Sequence, residues 1–541
     1  MDEVKKQKVS TILFLIPFGI FLLLFFIIKA GGFFSRFTYE LQTPFTADTP
    51  MYYAIGKGMT HGLLPYQDLF ETKPPMIFFT AAFSYWLTGD FYLCNLLSFF
   101  LLTISTLLPL GSMVWTYVKR KEKNIFLLIT SLITALFVGL LLGAYDQIRS
   151  GEVQVELFGA AFISLYFLFI FHIDSEKIKW YSPQIIASSV VLMIGIMYKE
   201  PFLLVALFGA LLLCKTKKDY LYKLLLPFAF GGVLGILLLA CTGTLVPYVT
   251  IYLPHMMGTH ISIYGSPWER MWNIWRIMQD MSNFSPSLLV LVMICFALAI
   301  GYFIKGHSSS KNITWYILYE IGKYAKIACA IFFTSFAVGL GGQYYNHHYI
   351  FAFPLYILFA FMAFDVIYEW MRKSKEEHNL FQKKAAYAMQ FLLLFSSLSG
   401  VFFLPSFSYN QPLLDRSKTI KEDAKYVDQI LDILGEDRYQ FFGFNGAIFY
   451  AYTEHDPQGP VFFQDPYNFR TEDSPFVIKF KEQLEKTNVY IYYTNYCGVI
   501  AQYVRDYISQ KFTILAPSKE INDLHRPETF TYTIYYRKGA F

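Results

Sequence analysis

The chain has 541 residues, of which 55% are hydrophobic and 19% aromatic, whereas only 16% are charged. This composition is too apolar for a soluble globular protein of this length and predicts a polytopic protein embedded in a lipid bilayer. The net charge is only +5 and the basic residues stand in short loops, so no nucleic acid partner is expected. The six cysteines show no metal-type spacing and predict no disulfide framework.

The first apolar run covers residues 11–28. At about 1.5 Å per helical residue it crosses most of a bilayer core of about 30 Å. It follows the lysines of MDEVKKQKVS and lacks a clear small-residue cleavage site, which predicts a retained anchor with a cytoplasmic N-terminus. Residues from Gly31 onward, including Asp48, are then expected outside the cytoplasm.

The next apolar segment, residues 75–89, decides the orientation of everything after it. It is only about fourteen residues long and contains Tyr85 and Trp86, which is typical of an interfacial helix rather than a membrane span. The following span then delivers the KRKEK run at residues 119–123 to the cytoplasm, as the positive-inside rule requires. If residues 75–89 crossed instead, the later loops would be inverted.

With that segment at the interface, the chain makes about eleven spans, although an even number also fits the pattern. A roughly forty-residue external loop is expected before residue 286. The predicted later spans are residues 93–118, 125–144, 155–171, 185–198, 201–214, 224–241, 287–304, 327–340, 349–370 and 386–404.

After residue 404 the composition becomes that of a soluble domain. Helical patterns occur around residues 421–434, 476–486 and 499–508, and they alternate with strand-like runs: YQFFGF, PVFFQD, VYIYYTN, FTILAP and FTYTIYY. The expected fold is therefore an α-helical membrane domain, residues 1–404, followed by a small extracytoplasmic α/β domain, residues 405–541. The first external loop, residues 30–92, is expected to carry juxtamembrane helices.

The predicted external loops collect ionisable and aromatic residues. Charged side chains at a membrane boundary are costly and usually mark a polar cavity, so several such clusters on one face predict one shared cavity. The candidate residues of this cavity are Asp48, Tyr52, Tyr53, Tyr66, Asp68, Glu71, Lys73, Asp146, Glu152, Glu156, Lys199, Tyr345, His347 and His348.

Asp48 and Lys73 bracket the first of these clusters. A carboxylate at Asp48 can accept a proton from an attacking hydroxyl or help to hold a divalent ion, but the following Thr49 and Pro50 also indicate a helix N-cap. Lys73 precedes two prolines that fix the local backbone. Its ammonium can bind a lipid phosphate, or it can simply reach the interface at a helix start.

The remaining clusters also allow two interpretations each. Glu152 and Glu156 precede an apolar span and predict a cavity role, although a solvated loop is the alternative. Lys199 and Glu200 break two short spans and can serve to cap that turn. His347 and His348 can bind phosphate, sugar or metal, or act as interfacial belt residues.

A divalent metal ion is a possible cofactor. Glu71 with His255 or His260 can be drawn as its ligands, but the chain has no HExxH motif and no pair of histidines four residues apart to support this site.

Several of these residues form a pattern with a known counterpart. Tyr52 follows Asp48 by four residues, G-x-x-P-Y-x-D occupies residues 62–68, and K-P-P occupies residues 73–75. This pattern resembles the C-class (GT-C) membrane glycosyltransferases and is most similar to the bacterial protein-mannosyltransferase and aminoarabinose-transferase-like group. The acidic second loop, Lys199 between short spans, the aromatic-histidine turn and the terminal α/β domain extend the similarity. Thr72 between Glu71 and Lys73 departs from the glutamate-lysine-proline order of the aminoarabinose branch.

The resemblance implies an inverting glycosyltransferase of the bacterial inner or plasma membrane. Such an enzyme moves a monosaccharide from a polyprenyl-phosphate-linked donor to an extracytoplasmic acceptor, which is a lipid, a glycan or a protein. It implies Asp48 as base or acceptor-orienting carboxylate, Glu152 or Glu156 as the second acidic element, and Lys73 and Lys199 as ligands of the lipid phosphate.

Three other functions fit parts of the sequence. A secondary transporter would also carry polar residues and broken helices. A ligase or oligosaccharyltransferase that uses a lipid diphosphate would need the same residue types. A non-catalytic envelope-assembly or carbohydrate-binding protein is the third.

Overall fold

The computed structural model describes residues 37–39, 41–43, 48–98, 100, 124–134, 153–260, 272–284, 286–304, 313–340, 346–376, 380–403, 411–442, 447–462, 472–493, 502–515 and 532–540. Over these residues the protein is mostly helical and carries one small sheet toward its C-terminal end. The predicted fold class, a helical membrane protein with a C-terminal α/β unit, is confirmed. The predicted anchor at residues 11–28 and the basic run at residues 119–123 lie outside the described residues.

The main helices are numbered in chain order. They are α1 Thr49–Thr60, α2 Met76–Thr88, α3 Val155–Phe171, α4 Pro183–Tyr198, α5 Phe202–Leu213, α6 Leu226–Cys241, α7 Asn273–Phe284, α8 Pro286–Ile304, α9 Ile313–Leu340, α10 Phe353–Glu376, α11 Leu380–Phe403, α12 Gln411–Leu434, α13 Ala447–Tyr452, α14 Pro475–Glu485 and α15 Gln502–Lys511. Short helical segments cover residues 245–260, and a 3₁₀ turn, Asn346–Ala352, leads into α10. The predicted external loop before residue 286 thus contains α7 and the helical segment 245–260.

Three helical stretches among the described residues are long and apolar enough to cross a membrane: Lys217–Cys241, Ile321–Leu340 and Ile350–Lys373. In the most apolar part of Ile350–Lys373, 89% of the residues are buried inside the protein, compared with 22% for Lys217–Cys241. Ile350–Lys373 therefore lies in the centre of the bundle, and Lys217–Cys241 lies at its edge. The total of about eleven spans stays a prediction.

Small residues bring α3 and α5 close together. A Cβ atom on Gly159 of α3 would overlap the ring of Phe202, and one on Gly209 of α5 would overlap the ring of Phe167. Glycine at such positions allows apolar helices to approach without a driving force from water. This contact fixes the end of α3 that carries Glu156, next to the break between α4 and α5.

Helices α1 and α2 form a hairpin that corresponds to the predicted first external loop. Gly56 of α1 lies directly against Ala81 of α2, because a Cβ atom there would stand only 2.6 Å from the Ala81 Cβ. Helix α2 begins after two prolines and ends at Gly89, which adopts the left-handed conformation of a helix C-cap with a φ of 67°. One face of α2 exposes Phe83 and Trp86, as an interfacial helix requires.

The C-terminal unit has three layers. Its strands are β1 Arg438–Phe442, β2 Asp456–Pro457, β3 Val489–Tyr493, β4 Phe512–Ile514 and β5 Tyr532–Arg537, in the spatial order β2-β1-β3-β5-β4. Strand β1 pairs in parallel with β2 and β3, whereas β5 runs antiparallel to β3 and β4. Residues of β3 alternate between the two faces: Val489 and Ile491 pack with α12, and Tyr490 packs with α14 and α15.

One predicted strand of this unit is not formed in its described part. The run PVFFQD starts at Pro460, but Val461 and Phe462 are buried without strand structure. The backbone N–H of Val461 donates to the side chain of Gln483, and its carbonyl accepts from Gln440. Side-chain amides thus form the hydrogen bonds with the backbone of Val461 that a neighbouring strand would otherwise form.

The C-terminal unit rests directly on α1 through a buried lysine. Lys57 is 1% exposed, and its ammonium donates to the carbonyls of Thr453 at 2.6 Å and His455 at 3.1 Å. Asp456 lies 3.8 Å away. Burial lowers the pKa of Lys57 to about 8, against the raising effect of Asp456. A second link joins Lys421 to Asp90 at 3.1 Å.

Candidate functional site

Asp48 and Lys73 come together where α1 and α2 begin. The Lys73 ammonium lies 3.8 Å from the Asp48 carboxylate and 3.7 Å from that of Glu71. Asp48 occupies the N-cap position of α1 but makes no capping hydrogen bond with its side chain. Because the Asp48 side chain is 34% exposed and that of Lys73 is 19% exposed, a ligand can reach both, whereas Glu71 is buried.

The loop between these helices is held by Tyr66. Its hydroxyl donates to the backbone carbonyl of Lys73 at 2.9 Å. Tyr66 has a φ of 69°, a left-handed backbone conformation that residues other than glycine rarely adopt. It is completely surrounded by protein, and its ring packs against Tyr252 at 4.6 Å and Phe78 at 6.0 Å. A strained backbone of this kind persists only where the packing around it determines the conformation.

A second charged group lies at the start of α3. Lys199 is 3.0 Å from the Glu156 carboxylate, and the Nε2 atom of His348 is 4.0 Å from the same carboxylate. Glu156 is 2% exposed, and its second oxygen has no hydrogen-bond partner among the described residues. The structure thus joins three of the predicted residues from three different parts of the sequence.

Glu200 follows Lys199 and accepts two hydrogen bonds that the sequence pattern does not predict. The hydroxyls of Tyr252 and Tyr248 both donate to its Oε1 atom, at 2.7 Å and 3.2 Å. Burial raises the pKa of Glu200, and the two tyrosines together with Lys199 oppose this effect. Glu200 therefore belongs to the interior and is more than a solvated turn. The pair of tyrosines four residues apart in YVTIY is the signal that could have indicated a shared partner.

The tyrosine cluster connects the two charged groups. Tyr66 packs on Tyr252, and Tyr252 binds Glu200, which is next in sequence to Lys199. Both Glu200 and Glu71 act electrostatically to raise the pKa of Tyr66, although burial is the larger cause. The tyrosine cluster thus links the loop that carries Lys73 to the turn that carries Lys199 and Glu200.

Other predicted pocket residues lie in the packing around this region. Tyr52 and Tyr53 are fully buried, and the hydroxyl of Tyr53 donates to Asn95 while its ring stacks on Phe91 at 4.2 Å. The Asp68 carboxylate accepts from the backbone N–H of Leu64, four residues earlier. These contacts position the loop, and a direct role for the three residues in substrate binding stays a prediction.

Asp146, Glu152 and Tyr345 lie outside the described residues. His347 stands in the 3₁₀ turn Asn346–Ala352, and His260 ends the helical segment 245–260. Their predicted roles stay predictions.

The predicted metal ligands, Glu71 with His255 or His260, are not gathered into a recognisable site in the described part of the chain. No group of three or more histidine, cysteine, aspartate or glutamate side chains there is arranged to hold a metal ion. The ring of His255 packs edge-on against Phe70 at 4.9 Å and Phe476 at 5.4 Å. Burial lowers the pKa of His255 and favours the neutral ring.

Comparisons with known proteins give a likeness in fold alone. No protein-family model and no curated protein matches the chain. ArnT from Cupriavidus metallidurans bound to undecaprenyl phosphate is similar over 96% of this chain and 98% of its own, with a TM-score of 0.48 and 11% identity. Its apo state is similar over 95% and 97%, with a TM-score of 0.43 and 12% identity.

Proposed function

We propose that the protein is a glycosyltransferase that moves a monosaccharide from a polyprenyl-phosphate donor to an extracytoplasmic acceptor, with inversion at the anomeric carbon. One observation carries the proposal. A partly exposed carboxylate, Asp48, lies 3.8 Å from a partly exposed ammonium, Lys73, where two helices begin. An inverting transfer needs both charges at one site, a carboxylate for the acceptor hydroxyl and an ammonium for the leaving phosphate, with the sugar bound between them so that they act on opposite faces of the anomeric carbon.

The chemistry divides between the two groups. The acceptor hydroxyl attacks the anomeric carbon, and the bond from that carbon to the phosphate oxygen breaks, so the lipid phosphate leaves with the electron pair. Asp48 orients the hydroxyl and takes its proton. Lys73 stabilises the negative charge of the leaving phosphate as a point charge. A phosphate is a good leaving group, so no strong general acid is required.

Lys199 and Glu156 serve the same site in this proposal, because the tyrosine cluster links the turn that carries Lys199 to the loop that carries Lys73. Lys199 is 12% exposed and adds a second positive charge for the lipid phosphate, while Glu156 holds it in place. In the similar ArnT structure the bound molecule is undecaprenyl phosphate, which belongs to the proposed class of lipid phosphates.

The proposal is tested with the full-length protein reconstituted in lipid nanodiscs. Mass spectrometry of co-purifying lipids is expected to find a polyprenyl phosphate, with or without one sugar. Addition of a polyprenyl-phosphate sugar and an extract of envelope lipids and glycans is expected to yield the free lipid phosphate and a glycosylated acceptor. A bound lipid diphosphate would favour a ligase, and absence of both binding and transfer would refute the proposal.

A further inference from the structure

We infer that Glu200 is a positioning residue for Lys73 and that it acts through Tyr252 and Tyr66. The inference rests on the proposed function, because it concerns how the lysine that binds the donor phosphate is held. It assigns a role to a carboxylate whose sequence context indicates only a cap for the turn between two helices.

The backbone at the break between α4 and α5 sends Lys199 and Glu200 to different partners. Lys199 has an extended conformation, with φ of −160° and ψ of 111°, and Pro201 caps the start of α5. Consecutive side chains of an extended chain point in opposite directions. Lys199 accordingly pairs with Glu156, whereas Glu200 binds the two tyrosines of the 245–260 segment.

A series of short contacts then leads from Glu200 to Lys73. Tyr252 donates to Glu200 at 2.7 Å, and its ring centroid lies 4.6 Å from that of Tyr66. The hydroxyl of Tyr66 donates to the backbone carbonyl of Lys73 at 2.9 Å. Tyr248 adds a second bond to Glu200 at 3.2 Å and packs against Tyr252 at 5.0 Å. Each step is a direct contact, and together they span from the α4–α5 break to the first loop.

The strained backbone of Tyr66 makes Lys73 sensitive to this support. Tyr66 keeps its left-handed conformation only while the surrounding rings determine where its side chain lies. Without the bond between Glu200 and the Tyr252 hydroxyl, the ring of Tyr252 would lose its anchor and could move relative to Tyr66. Tyr66 would then relax, and the carbonyl of Lys73 would lose its fixed position.

The test compares three variants of the full-length protein in nanodiscs. Glu200→Ala removes the acceptor, Tyr252→Phe removes one donor but keeps the ring, and Glu200→Gln keeps an acceptor oxygen. Glu176→Ala is the matched control, since Glu176 is an exposed glutamate that pairs with Lys218. The donor KM, acceptor KM and kcat are measured separately for each.

Tyr252→Phe removes one buried hydrogen bond and is expected to raise the donor KM about tenfold. Glu200→Ala removes the bonds from both tyrosines and should raise it at least as much. The acceptor KM should stay within about twofold, and Glu200→Gln should restore most of the donor affinity. Tyr252→Phe decides the matter if Glu200→Ala does not fold. An unchanged donor KM, or an equal rise in both KM values, would overturn the inference.

A second measurement does not depend on transfer activity. Lys73 is 19% exposed, so an amine-reactive reagent can label it, and mass spectrometry gives the labelling rate. Tyr252→Phe is expected to change the rate at Lys73 and to leave the exposed Lys177 unaffected. If wild-type protein transfers no sugar, the proposed function fails, yet this rate still decides the inference. An unaltered rate at Lys73 refutes it.

Discussion

Glu156 and Lys199 form an ion pair of 3.0 Å whose carboxylate is almost completely buried. A buried ion pair contributes little net stability, because the cost of desolvating both charges offsets their attraction. Removal of one partner is nevertheless strongly destabilising, since the other charge remains buried. A single and a double substitution therefore distinguish the contribution of the pair to stability from its contribution to sugar transfer.

Lys199→Met is expected to lower the free energy of unfolding by about 3–5 kcal/mol, because among the described residues His348 is then the one basic group left near the Glu156 carboxylate. Thermal unfolding in detergent measures the loss. The double variant Glu156→Leu with Lys199→Met should regain most of the stability but no transfer activity. Unchanged stability in the single variant would contradict the expected cost of breaking this buried pair.

Asp48→Asn is expected to abolish sugar transfer while the protein still folds and inserts. The amide keeps the shape of the side chain but cannot accept the proton of the acceptor hydroxyl, which removes a contribution of about 10²–10⁴-fold. Asp174→Asn is the matched control, because Asp174 is an exposed aspartate that follows the C-terminal end of α3, whereas Glu156 lies at its N-terminal end. Full activity of Asp48→Asn would leave only the helix-start role for this residue.

Lys73→Ala is expected to weaken donor binding more than acceptor binding. A charge-assisted hydrogen bond to phosphate contributes about 1.5–3 kcal/mol, so the donor KM should rise by about 10–150-fold. Lys177→Ala, at a lysine that is 84% exposed, provides the control for the loss of one positive charge. Equal weakening of donor and acceptor would instead indicate that Lys73 supports the loop as a whole.

The helices were predictable where an apolar run is bounded by polar residues or proline. The predicted span at residues 155–171 has the bounds of Val155–Phe171, and the predicted break at Lys199 and Glu200 separates α4 from α5. Local composition and periodicity carry this information in the sequence itself. The short strand Asp456–Pro457 was not predictable, because only its pairing with β1 defines it.

The sequence indicates charged residues that the structure brings into contact, but it does not indicate which of them pair. The sequence indicates Asp48, Lys73, Glu156 and Lys199, since charges beside apolar spans are costly. The role of Tyr66 as a support depends on a backbone conformation that no local pattern requires. The partners of Glu200 come from a segment about fifty residues away, so only the packed fold brings them together.

The orientation of the chain can be tested by labelling single cysteines. The six native cysteines are first replaced, and cysteine is then introduced at Lys177 or at Lys479, both of which are exposed. A membrane-impermeant thiol reagent added to intact cells is expected to label position 479 and not position 177. The reverse pattern would invert the predicted topology and place the proposed site on the cytoplasmic side.

The buried Lys57 predicts a pH-dependent attachment of the C-terminal unit to α1. Its pKa is about 8 in the folded protein against 10.5 for an ordinary lysine, so the unfolded chain binds more protons between these values. Stability linked to Lys57 is therefore fully present above about pH 10.5 and is lost as the pH falls through about 8.

Comparison with Lys57→Met isolates this effect, because methionine has a similar length and no charge. As the pH rises from 7.5 to 10, the melting temperature of the wild type should increase relative to that of the variant, by an amount equivalent to roughly 2–3 kcal/mol. At pH 7.5 the variant also loses the bonds to Thr453 and His455, which leaves two buried carbonyls without their donor. A difference that is constant over this range would mean that Lys57 keeps an ordinary pKa and that its ammonium remains in contact with water.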